Sequence, residues 1–151
     1  MNETKPMTGG CLCGAVRYQA SEPPLEVYYC HCRMCQRAAG NVVATWAQFP
    51  GEAFRLTRGE AKFYRSSDVA ERGFCAACGT QLVVRGFEAL EPVAVAVGSL
   101  DHPEVLRPEG HFGIESKVPW FTVQDDLPHT RTEDIPDFTP PKQLHIYRPE
   151  E

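Results

Sequence analysis

The residues of this chain whose type and spacing could do chemistry are its seven cysteines. They fall into three clusters: Cys11 and Cys13 in GGCLCG, Cys30, Cys32 and Cys35 in CHCRMC, and Cys75 and Cys78 in FCAACGT. A two-residue spacer between cysteines is the length of a metal knuckle, in which a tight turn aims both sulfurs at one ion. In a Cys-x-Cys pair on extended backbone, Cys11 and Cys13 share a side and Leu12 faces away. Two such halves complete a tetrahedral site, so Cys11, Cys13, Cys75 and Cys78 are expected to hold a structural zinc ion. Closing the loop of roughly 60 residues between them costs about 3.6 kcal/mol in chain entropy. Structural zinc contributes on the order of 10 to 16 kcal/mol in small peptides, so the metal prevails.

The other three cysteines follow the same logic. Cys30 and Cys32 lie on one face, His31 on the opposite one, and Cys35 returns after one turn. Three ligands leave one position open, which is what separates catalytic from structural zinc. Three thiolates make a poor Lewis acid but favour an electron-rich bound sulfur, and a thiol entering that position would lose its proton. A second zinc, catalytic and labile, is therefore expected on Cys30, Cys32 and Cys35. The competing readings are disulfides, an iron–sulfur cluster, and a second structural zinc completed by a distant His or Asp. An odd cysteine count speaks against the first, and the absence of ferredoxin spacings against the second.

Among the other polar residues, His111 in GHFGIES is the candidate to approach metal or substrate, whereas His31 reads as a packing residue beside the ligands. His102, His129 and His145 read as surface residues, Trp46 and Trp120 as core. Arg33, Gln36 and Arg37 read as a solvated helix face, or as groups that could bind a carboxylate.

Elements that could position these groups are mostly strands. Alternating or β-rich runs occur at 15–20, 42–49, 54–57, 61–64, 81–87, 93–97 and 120–123, and 12 Gly and 13 Pro fall largely between them. One helical turn is predicted at 34–39, stopped by Gly40. The expected class is all-β with little helix, as a zinc-binding domain over 1–127 and an extended tail over 128–151, where proline and charge dominate. A net charge of −5 disfavours a nucleic-acid or anionic-membrane partner. The longest apolar run, 92–100, is far below the roughly 20 residues of a membrane span, and the first residues lack a secretory pattern. A cytoplasmic location is the resulting expectation.

The ordered motifs GGCLCGAVRY, CHCRMCQRAAG, FCAACGTQL, GSLDHP and ESKVPWF resemble the glutathione-dependent formaldehyde-activating enzyme family, also called the centromere protein V-like family. The resemblance runs from about residue 9 to about residue 127. It implies a β-tent fold of antiparallel sheets, one structural zinc on the quartet and one catalytic zinc on the trio, the same partition that spacing suggests. It further implies a carbon–sulfur lyase that condenses a thiol such as glutathione with formaldehyde to S-(hydroxymethyl)glutathione. A homodimer is the assembly to look for. The alternative is a non-catalytic, zinc-stabilised binding or scaffold module.

Overall fold

The computed structural model describes residues 5–139. Within them the chain runs β1 (Met7–Gly10), β2 (Arg17–Ala20), β3 (Glu26–Cys30), α1 (Arg33–Ala39), β4 (Ala44–Phe49), β5 (Phe54–Arg58), β6 (Lys62–Arg65), β7 (Glu71–Phe74), β8 (Gln81–Arg85), β9 (Val93–Ala96), β10 (His111–Phe112) and β11 (His129–Thr130). The strands form two sheets. A three-stranded sheet has the order β1-β2-β5, and an eight-stranded sheet the order β11-β10-β3-β4-β9-β8-β7-β6. Pairing is antiparallel except at β10, which runs parallel to β3 and to β11. The fold is all-β with one α-helix, as its Gly- and Pro-punctuated strand runs lead one to expect.

Successive strand side chains point to opposite faces, and β4 shows what this does to the core. Ala47 and Phe49 join Tyr18, Val27 and Val95 in the larger apolar cluster, which includes residues of the small sheet. Ala44 and Trp46 from the same strand join Cys30, Cys35 and Ala94 in a second cluster. The large sheet is therefore apolar on both faces, one carrying the small sheet and the other carrying α1 and the cysteine trio. Arg17 and Thr8 tie the small sheet to the loop beyond β9, both donating to the carboxylate of Asp101.

Helix α1 begins where Cys32, still extended, accepts the N–H of Cys35 on its sulfur, and ends at Gly40 in the left-handed conformation. Five strands escape the sequence pattern. β1 is half glycine, β3 and β7 carry polar or Gly positions that break alternation, and β10 and β11 are two residues each. The strand expected at 120–123 does not form: the segment is a turn and irregular backbone, and Trp120 is 75% exposed rather than in the core. Trp46 is buried, as read. Part of the segment beyond residue 127 joins the large sheet as β11, while His145 lies outside the described residues. None of the described helices is long and apolar enough to cross a membrane.

Candidate metal centres

The quartet forms where two turns meet. Cys11 and Cys13 lie between β1 and β2, and Cys75 and Cys78 between β7 and β8, so the two halves come from the two sheets. Each turn is shaped by its backbone: Gly14 N–H bonds the carbonyl of Cys11 at 3.1 Å, Gly79 N–H that of Cys75 at 2.8 Å, and Cys75 N–H that of Thr80 at 3.0 Å. Thr80 joins the halves further, its hydroxyl accepting from Leu12 N–H at 3.0 Å. The four sulfurs lie within 4.8 Å of one another. Cys11 and Cys13 are 3.6 Å apart, Cys13 and Cys75 3.9 Å. A tetrahedron with metal–sulfur bonds of about 2.3 Å has sulfur–sulfur edges of about 3.8 Å, so this donor set fits zinc.

Fixed donors favour the anionic form of two of these ligands. The Val16 N–H lowers the Cys11 thiol, and hydrogen bonds from Thr80 draw that of Cys78 down to about 5. A metal site needs thiolates, and these contacts prepare them.

The trio assembles on the other face of the large sheet. Cys30 ends β3, Cys32 caps α1, Cys35 sits in its first turn, and their sulfurs also lie within 4.8 Å of one another. Cys30 and Cys35 are buried and Cys32 is partly exposed, so access is from the Cys32 side. Hydrogen bonds from the Cys30 and Cys32 thiols, with the Arg72 guanidinium beyond them, hold the Cys35 thiol far below its ordinary value. Those neighbours and burial push Cys30 the other way.

The segment after β10 lies against this centre. Gln36 is buried, not part of a solvated face, and its amide donates to the Ser116 carbonyl at 3.0 Å while accepting from Arg33 at 2.6 Å. Gly113 has φ = 67°, and a Cβ there would lie 2.8 Å from the backbone nitrogen of Cys32 and 3.0 Å from its Cβ. Gly113→Ala thus combines left-handed strain with a backbone clash, and we expect it to cost roughly 1 to 3 kcal/mol in urea unfolding. The trio should lose metal affinity and the quartet should not; unaltered stability and metal content would mean the contact does not position Cys32.

The histidines form their own group. His31 turns to β10, where its Nε2 meets His111 Nδ1 at 2.8 Å, and His111 Nε2 reaches the Asp125 carboxylate at 2.9 Å. His111, read from sequence as the residue to approach the metal, gathers instead with Asp125 and His129. Burial, with His111 next, pushes His31 down to about 4, so it is neutral near pH 7. With His111 donating to Asp125, its Nδ1 accepts from His31, which leaves His31 Nδ1 a buried acceptor without a partner among the described residues. These rings brace the Cys30–Cys32 backbone against β10, an arrangement completed by the His31 N–H on the Phe112 carbonyl at 2.8 Å.

Two participants were not singled out in the sequence. Asp125 gives no local signal, because its partner lies 14 residues away. Arg72 gives no local signal either, because strand register turns it to the trio's face: it pairs with Val84, which pairs with Ala94 of the trio's cluster. A cleft of about 610 Å³, within the range of small-molecule sites, runs from the quartet, at Cys11, Leu12 and Thr80, to residues of the trio's cluster, Ala44, Trp46 and Ala96.

Comparison with known proteins adds an independent line. A family model described as "Glutathione-dependent formaldehyde-activating enzyme" matches residues 6–116. A Halomonas elongata protein bearing that family's name is 31% identical over 133 residues, covering 78% of this chain and 81% of its own. An uncharacterized lyase of Schizosaccharomyces pombe is 36% identical over 83 residues, 49% of this chain and 53% of its own. The crystal structure of a Rhodobacter sphaeroides protein shares the fold, with a TM-score of 0.52 at 22% identity over 82% of this chain and all of that one.

Proposed function

Because the chain belongs to the glutathione-dependent formaldehyde-activating enzyme family, we propose that it is a zinc-dependent carbon–sulfur lyase that joins a thiol such as glutathione to formaldehyde. The observation that carries this reading is the gathering of Cys30, Cys32 and Cys35 with no fourth His, Cys, Asp or Glu in the group among the described residues. Four protein ligands close a zinc site, and three leave a position for substrate. On this reading Cys11, Cys13, Cys75 and Cys78 hold the structural ion.

Zinc bound by the trio would supply an open coordination position and favour the thiolate form of an entering thiol. The chain's part is to hold three sulfurs in place and leave one side accessible. Cys30 is fixed by β3 pairing with β4, Cys32 and Cys35 by α1, and Gly113 with Gln36 keep the covering segment in place. In the addition, a carbon–sulfur bond forms between the thiolate and the aldehyde carbon, and the carbonyl oxygen takes up a proton as the adduct leaves. The lyase direction reverses these changes.

The test is rate and metal together. Freshly reduced protein should carry two zinc equivalents and accelerate formation of the hydroxymethyl thioether from glutathione and formaldehyde above the spontaneous rate. A mild chelator should remove one equivalent and the acceleration with it, leaving the fold. Full acceleration after that removal would contradict the proposal.

A further inference from the structure

Arg72 is buried at 8% exposure on β7, on the sheet face that carries the trio. Its Nη2 donates to the Cys35 sulfur at 3.6 Å, and its Nε and Nη1 are buried with no hydrogen-bond partner among the described residues. Among the described residues no carboxylate pairs with it: the neighbouring Glu71 is taken by Arg85 at 2.8 Å. A guanidinium keeps its charge at any pH at which the protein folds, and an uncompensated buried cation is among the costliest features a core can hold. Among the described residues, the anion that can compensate it is the trio itself. Three thiolates around a divalent ion carry a net charge of −1, which one guanidinium cancels.

We propose that Arg72 is the fixed counter-charge of the three-cysteine centre, a positioning residue that sets how tightly the trio holds a metal ion. This rests on the reading of Cys30, Cys32 and Cys35 as metal ligands. With Arg72 in place the loaded centre is neutral as a unit, and a thiolate entering the open position raises its net charge only to −1 rather than −2. Without it, the loaded trio is an uncompensated buried anion, and metal is held less tightly. The quartet has no such need, since Cys13 is exposed to water.

The experiment compares wild type, Arg72→Gln and Arg72→Lys by competition for zinc with a chromophoric chelator, which resolves the two equivalents by affinity without any assay of turnover. In Arg72→Gln the weaker equivalent should lose affinity by about 10- to 100-fold, with the tighter one unchanged as the internal record of folding. Arg72→Lys restores the charge without the planar fork and should recover most of the loss. Equal affinity in wild type and Gln would overturn the charge role, as would a folded Lys variant no better than Gln. Should the Gln variant fail to fold, the Lys variant decides alone: retention of both equivalents within tenfold of wild type supports the role, and loss of the weaker one from a folded protein refutes it. A wild-type protein holding a single equivalent would instead overturn the three-cysteine reading, so the two failures are told apart.

Discussion

Cys13→Ser should unfold the protein almost as thoroughly as Cys75→Ser, although the two residues pack very differently. Cys75 is buried in the main core cluster, whereas Cys13 is exposed and belongs to no apolar cluster. Were the four thiols ordinary packing groups, Cys75→Ser would destabilise by a few kcal/mol through an unsatisfied hydroxyl, and Cys13→Ser would stay within about 0.5 kcal/mol of wild type. As zinc ligands they are equivalent, and losing either breaks a closed site. Structural zinc is worth on the order of 10 kcal/mol in peptides, against a domain stability of about 5 to 15 kcal/mol. Both variants should therefore lose most or all of their cooperative unfolding transition in circular dichroism, and the wild type should do so after exhaustive chelation. A native-like transition in Cys13→Ser would remove the metal from the account of the fold.

Cys35→Ala should separate chemistry from stability. Cys35 lies in a seven-residue helix on the far face of the sheet from the main core, and the quartet does not depend on it. We expect the variant to fold with one zinc equivalent and to cost about 1 to 3 kcal/mol, in part because Arg72 loses its sulfur partner. The acceleration of thiol addition to formaldehyde should fall by about 100-fold or more, to the spontaneous rate, since two sulfurs no longer hold the ion that prepares the thiol. Turnover near wild type in a folded Cys35→Ala protein would place the chemistry elsewhere.

The parts of this molecule legible in its sequence are those set by short-range rules. Cys-x-x-Cys and Cys-x-Cys spacing, alternation in 42–49 and 93–97, and Gly40 as a helix stop all act over a few residues, and the structure follows them in β4, β9 and α1. The pairing of Cys11 and Cys13 with Cys75 and Cys78 could be inferred over more than 60 residues because ligand counting is a long-range rule that needs no geometry. Contacts decided by strand register were not readable. Arg72 faces the trio because β7 pairs with β8 in that register, with an irregularity at Gly73 and Phe74. His111 meets Asp125 and His129 because two-residue strands pair in parallel, and the burial of Gln36 depends on where the segment after β10 is laid. Trp120 misled for the opposite reason: an aromatic within a short β-rich run suggests core, yet β10 and the turns after it leave it on the surface.

The most direct test of the central claim, that the trio holds a metal ion with a position open to a thiol, is the absorption spectrum of cobalt-substituted protein during titration with glutathione. Thiolate charge-transfer intensity reports how many sulfurs bind, and the visible bands report geometry. Two cobalt populations are expected, one with four sulfurs that ignores glutathione, and one with three that gains a thiolate and saturates at one glutathione per chain. A spectrum that stays unchanged across the titration, with both cobalt ions already loaded, would contradict it.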